Sequence, residues 1–157
     1  MPSFQFATPV RFADVDHAGI VYYPRYFHYF HLCFEELWRQ RMGAAAYQSL
    51  LDDDRIGFPA VRAECEYRGP LRFGDTAEIE LSIARLGQKS IDFRYQVWRA
   101  DSPEAKDPSR QHRALCAEGR VVTAVVDLAR FVAIPVPGQV LSLLADLTPG
   151  VAPTTSG

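Results

Sequence analysis

Apolar and polar residues alternate along most of this chain, and the period changes once. Phe4, Phe6, Val10 and Phe12 share a period of two, which predicts a first strand over 4–13, with Pro9 directing it to a sheet edge or a bulge. Between 23 and 41 the spacing becomes helical: Tyr23, Phe27, Phe30, Phe34 and Leu37 recur at alternating intervals of four and three. Tyr26, Cys33 and Trp38 widen that face, whereas Arg25, Glu35 and Arg39 mark its wetter side. Gly43 is a stop signal, and 44–57 predicts a second, shorter helix. After Pro59 the period of two returns. Val61, Ala63, Cys65 and Tyr67 alternate with charged residues, as do Ala77, Ile79, Leu81 and Ile83, and Ile91, Phe93, Tyr95 and Val97 give a third such strand. The polar stretch 101–111 reads as a mobile hairpin loop, and 112–126 and 129–134 supply the last strands. A short helix over 140–147 precedes a tail, 148–157, whose Pro, Thr, Ser and Gly predict disorder.

The order is therefore strand, long helix, short helix and then four or five consecutive strands. It predicts an α+β domain in which an antiparallel sheet curls around one long central helix, with hairpin-linked strands adjacent. The 157 residues, 48% hydrophobic with a net charge of −2, suit a single domain, expected over 1–147.

Charge and cysteine usage narrow the function classes. The Arg residues are scattered and no dense basic block is interleaved with aromatics, which argues against nucleic-acid binding. No apolar run approaches the roughly 20 residues that cross a bilayer, and no charged leader precedes an apolar core, so neither a membrane partner nor a secretion signal is expected. Cys33, Cys65 and Cys116 are widely spaced, form no C-x-x-C pair and lie in apolar-periodic segments, which reads as buried thiols in a cytoplasmic protein.

Candidate chemistry concentrates in the turn between the first strand and the long helix. Asp14, Asp16 and His17 cluster there, and Gly19 lets the backbone bend before Tyr22 and Tyr23. Pro24 suits a helix start because its missing N–H has no intrahelical partner there. A carboxylate beside free N–H groups at a helix N-terminus is equipped for acyl transfer, and Asp16 is the first candidate, as nucleophile or as general base. The structural alternative is that Asp14 and Asp16 are turn or cap residues. His17 is a substrate contact or an exposed turn histidine. His28, His31 and Glu35 share a helix face, but no further ligand is evident and no metal is expected. No serine-hydrolase elbow, Walker A or dinucleotide motif is present. The turn Gly87-Gln88-Lys89-Ser90 offers a cation and a hydroxyl, and most such turns are only hairpins.

The segment VRFADVDHAGIVYYPRY, residues 10–26, resembles the signature of hotdog-fold acyl-CoA thioesterases of the 4-hydroxybenzoyl-CoA thioesterase type, in which an Asp-x-Asp-x-x-Gly-x-Val stretch precedes the central helix. The resemblance extends in strand order to about Ile134. It implies the hotdog fold, Asp16 as the catalytic carboxylate and the Tyr23 N–H as an oxyanion donor. It also implies a substrate-binding turn that includes His17 and Gly19, and contacts from Lys89 and Ser90 to the phosphates of coenzyme A. The Tyr-Tyr-Pro run leans toward an aromatic acyl group. No cofactor or metal is implied beyond the coenzyme A portion of the substrate, and the family implies a homodimer or homotetramer with active sites between subunits. The leading expectation is hydrolysis of an aromatic or bulky acyl-CoA. The alternatives are a short- or medium-chain aliphatic acyl-CoA or acyl-carrier-protein thioesterase, and a non-catalytic acyl-CoA binding module.

Overall fold

The computed structural model describes residues 2–150. The chain runs β1 (Phe4–Pro9), α1 (Arg25–Arg41), α2 (Ala44–Asp52), β2 (Ile56–Gly57), β3 (Ala60–Tyr67), β4 (Thr76–Leu86), β5 (Ser90–Arg99), β6 (Ala114–Ala124), β7 (Val126–Asp127), β8 (Val132–Ala133) and α3 (Gly138–Leu144). The strongest alternation makes the centre of the sheet. Ala77, Ile79, Leu81 and Ile83 on β4 and Ile91, Phe93, Tyr95 and Val97 on β5 are all buried. Tyr26, Tyr29, Phe30, Cys33, Phe34, Leu37 and Trp38 form the buried face of α1 and join them in one core. Full burial of each large side chain contributes on the order of 1.5–3 kcal/mol, so this helix-on-sheet contact is the main source of stability.

The expected curled sheet is corrected. Strands β1, β4, β5, β6 and β3, in that order, form an open five-stranded antiparallel sheet, and β2, β7 and β8 form a separate three-stranded one. The two edges, β1 and β3, stand four strand spacings apart, roughly 19 Å at about 4.8 Å each, and do not meet. Alternation in sequence specifies which face of a strand is buried; it carries no information about curvature, and the arrangement is hotdog-like without a wrapped sheet. The expected adjacency of β3 and β4 also fails. β3 pairs with β6, whereas β4 pairs with β1 and β5, so the connection between β3 and β4 crosses to the far side of the sheet.

Edge position explains why β3 lacks its expected buried face: in the single chain Val61 and Tyr67 are exposed and Cys65 is only half-buried. β1 is the other edge, and it ends at Pro9, where no ladder donor is lost. Phe12, expected in that strand, lies instead in a 3-10 turn, Phe12–Asp14, and is exposed. The second helix stops at Asp52, short of Gly57, because Ile56 and Gly57 pair with β7. The 101–111 loop is tethered: Arg99 is buried and donates to the carbonyls of Ser109 and His112, and Arg110 pairs with Asp75. Of the tail expected to be disordered, Thr148 is bonded through its hydroxyl to the Leu144 carbonyl, and 151–157 lie outside the described residues.

Candidate active site

The turn entering α1 is built by backbone hydrogen bonds. The Val10 N–H donates to Asp75 O and the Val21 N–H to Leu71 O, tying both ends to the segment before β4. Between them Val15 and Val21 form an isolated antiparallel bridge, inside which Asp16 N–H donates to Ile20 O at 3.0 Å and Gly19 N–H returns to Asp16 O at 3.0 Å. Gly19 closes this loop at φ +82°, a conformation that side-chain-bearing residues rarely adopt. Pro24, at φ −68°, is the N-cap immediately before α1.

The two aspartates of the turn have diverged. Asp14 is buried, and its Oδ2 accepts from the Arg11 N–H at 2.8 Å and the Tyr29 hydroxyl at 3.1 Å. Its Oδ1 lies 3.3 Å from Arg25 Nε. Burial, and next the Asp14 charge, push the Tyr29 phenol well above its ordinary value. Asp14 is thus committed to holding the turn against the helix. Asp16 is exposed; its Oδ1 accepts from the Ala18 N–H at 2.8 Å, and its Oδ2 has no partner among the described residues. One oxygen fixes the side chain and the other is open to solvent.

Asp16 lines an open cleft of about 440 Å³ with Val15, Tyr22, Pro24, Arg25 and His28. His17 is exposed in the same turn. Tyr23 points elsewhere: its ring packs against Tyr67 and its carbonyl accepts from the Tyr67 hydroxyl at 2.9 Å, while burial helps push the Tyr67 phenol up to about 12. The Tyr23 N–H has no acceptor among the described residues, whereas the N–H groups of Tyr22, Arg25, Tyr26 and Phe27 are all bonded. The helix entrance therefore offers one open donor, at Tyr23.

Lys89 and Ser90 are not brought to this turn within one chain. Lys89 precedes β5 and Ser90 opens it, at the end of the sheet where Ser90 pairs with Ala124, whereas the acidic turn sits by Asp75, just before β4. The ten residues of β5 separate these ends by roughly 30 Å. Of the helix-face trio, His31 Nε2 is 3.2 Å from Glu35 Oε1 and His28 lines the cleft. Among the described residues no group of three His, Cys, Asp or Glu side chains is placed to hold a metal ion. The thiols of Cys33, Cys65 and Cys116 are all raised by burial, the opposite of what a reactive thiolate needs. Glu36 accepts from Arg39 and Gln40, which holds it down at about 2 as a permanent anion.

Tyr29 and Arg25, the partners of Asp14, did not stand out in the sequence as site residues. A signal existed for Tyr29, since a tyrosine on the buried face of a helix needs a partner for its hydroxyl.

The whole of this framework, residues 10–144, matches the model of the thioesterase-like superfamily. The chain belongs to that superfamily. By family it is a hotdog-like thioester hydrolase, as the turn signature implied. It is similar to a 1,4-dihydroxy-2-naphthoyl-CoA hydrolase of Synechococcus elongatus, 30% identical over 120 residues that cover 76% of this chain and 85% of that protein. A putative esterase of Aquifex aeolicus is 28% identical, covering 91% and 98% of the two chains. Among solved structures, a gentisyl-coenzyme A thioesterase superposes with a TM-score of 0.73 at 25% identity, over 90% of this chain and 100% of that one. The dynemicin thioesterase reaches a TM-score of 0.80 at 19% identity, over 94% and 98%, a likeness of fold. No helix among the described residues is long and apolar enough to cross a membrane.

Proposed function

We propose that this thioesterase hydrolyses an aromatic or similarly bulky acyl-CoA to the free acid and coenzyme A, with Asp16 as the reacting carboxylate. The observation that carries the reading is the asymmetry of Asp16, held through Oδ1 by the Ala18 N–H with Oδ2 unpaired in an open cleft. The likeness to a naphthoyl-CoA hydrolase and a gentisyl-coenzyme A thioesterase supports an aromatic acyl group.

The thioester carbonyl sits at the entrance to α1 with its oxygen toward the Tyr23 N–H. Asp16 Oδ2 either takes a proton from water, which then attacks the carbonyl carbon, or attacks it directly to give a mixed anhydride that water opens. On either route the negative charge that develops on the carbonyl oxygen is met by an N–H at the positive end of a helix, and the coenzyme A thiolate leaves. His17 and Gly19 shape the turn around the substrate.

The active unit is a homodimer, with tetramers built from it. The exposed edge of β3 supports this, since an unpaired strand edge is a ready template for a second copy. Antiparallel pairing of β3 with its copy about a twofold axis would carry the far end of the partner's sheet, with its Lys89-Ser90 turn, toward the Asp16 end of this chain. That geometry reconciles coenzyme A contacts from Lys89 and Ser90 with their distance from Asp16 in the single chain.

Release of free thiol from aromatic and aliphatic acyl-CoAs, run side by side, tests the proposal. Faster release from the aromatic members is expected; release confined to short aliphatic members, or none at all, would overturn it.

A further inference from the structure

Two peptide planes meet at Tyr23 and set the direction of its N–H, which has no acceptor among the described residues. The plane before it is fastened within the turn: Tyr22 O accepts from the Arg25 N–H at 2.8 Å, and the Tyr22 N–H donates to Asp14 O at 2.9 Å. The plane after it is harder to hold. It joins Tyr23 to Pro24, which has no N–H, and Pro24 is an N-cap without a side-chain hydrogen bond. From inside the helix the Tyr23 carbonyl is reached by the Tyr26 N–H, at a long 3.4 Å. Burial does not fix the residue either, because Tyr23 is 63% exposed.

A side chain from another element supplies the missing fastening. Tyr67, the last residue of β3 and 44 positions along the chain, donates its hydroxyl to the Tyr23 carbonyl at 2.9 Å. That bond lies in the ordinary range and is shorter than the one from Tyr26. The Tyr67 ring is held in turn, edge-on to Tyr23 with centroids 6.4 Å apart and to Tyr26, a buried residue of α1, at 5.2 Å. Burial first, and Cys65 next, keep the phenol up at about 12, so it remains a donor at neutral pH. Tyr22 and Pro24, on either side of Tyr23, line the Asp16 cleft, whereas Tyr67 lines a separate apolar hollow with Ile20, Tyr23, Tyr26 and Pro70. Its contact with the proposed reacting groups is through Tyr23.

Resting on the thioesterase reading above, we infer that Tyr67 is a positioning residue, which anchors the Tyr23 carbonyl and thereby keeps the Tyr23 N–H aimed at the thioester oxygen. A peptide unit is rigid, so a residue between two anchored units has little φ or ψ left to vary. A donor already aimed when the oxyanion forms needs no reorganisation at that moment.

Tyr67→Phe removes the hydroxyl and keeps the ring beside Tyr23 and Tyr26, so the variant should fold and melt within about 4 °C of the parent. The two are compared at a concentration where they sediment alike, with the aromatic acyl-CoA that the parent turns over fastest. The kcat of the variant is expected to fall by about 10- to 100-fold with KM within about twofold, because the donor is misaimed rather than removed. A kcat within about twofold of the parent would overturn the inference. So would a loss carried by KM, which would make Tyr67 a substrate contact. A second readout is independent of turnover. The order parameter of the Tyr23 amide, from backbone relaxation, is expected at about 0.85 in the parent and below about 0.6 in Tyr67→Phe, and equal values would overturn the anchoring. If the parent turns over no acyl-CoA, the thioesterase reading fails, and the order parameters still decide whether Tyr67 holds Tyr23.

Discussion

The Tyr29 hydroxyl donates to Asp14 Oδ2 across 3.1 Å, joining the buried face of α1 to the turn that precedes it. A hydrogen bond to a charged group contributes about 1.5–3 kcal/mol, so Tyr29→Phe should lower unfolding free energy by that amount in urea titrations. The same pair predicts an alkaline limb. The Tyr29 phenol is raised above its ordinary value of 10.0 by burial and by Asp14, so the folded state holds its proton longer than the unfolded one. That contribution is fully present below pH 10 and is lost as pH rises toward the folded value; the fall above pH 10 should be shallower in Tyr29→Phe.

Gly119→Ala tests the packing of α1 against the sheet. Its Cβ would enter the Phe30 ring, so the ring must leave its stack on Tyr95. Overpacking of this kind costs about 1–3 kcal/mol, to be read as a lower melting temperature and a lower urea midpoint.

Arg99→Met should release the 101–112 segment. Arg99 Nη2 donates to the Ser109 carbonyl at 2.8 Å and to that of His112 at 2.9 Å, and both bonds would be lost. Stability is expected to fall by about 2–3 kcal/mol. Limited proteolysis should cut this loop faster than in the parent, as it does where local opening becomes easier.

What the sequence made legible, and what it concealed, separates along one physical line. The faces of β4 and β5 and the stripe of α1 could be read directly, because burial imposes a period on each element. The place of β3 could not: its alternation is as regular as that of β4, yet Val61 is 66% exposed, because a pattern names a face without naming the neighbour that covers it. Curvature was concealed for the same reason. In the site, the acidic turn, its glycine and Asp16 as the first candidate were visible, but the structural task of Asp14 was not. It depends on Tyr29, fifteen residues away, and on Arg25, whose charge marked it only as wet. Lys89 and Ser90 were marked as coenzyme A contacts by resemblance alone, and their place at the other end of the sheet from the acidic turn was not legible.

The edge of β3 yields a prediction about assembly. Val61→Lys puts a charge on that edge at a position already exposed in the single chain, so the fold should survive. Sedimentation should show a dimer or larger assembly for the parent and a shift to monomer for the variant. A monomeric parent would remove the composite site from the account.

The central claim is that Asp16, and not Asp14, does the chemistry, and kcat for thiol release by Asp16→Asn tests it most directly. The asparagine carbonyl can still accept from the Ala18 N–H, so the turn and the melting temperature should be preserved. With the preferred aromatic acyl-CoA, kcat should fall by about 10²–10⁴-fold while the substrate still binds. Turnover equal to that of the parent would contradict the account and leave the open oxygen of Asp16 as a feature of the turn alone.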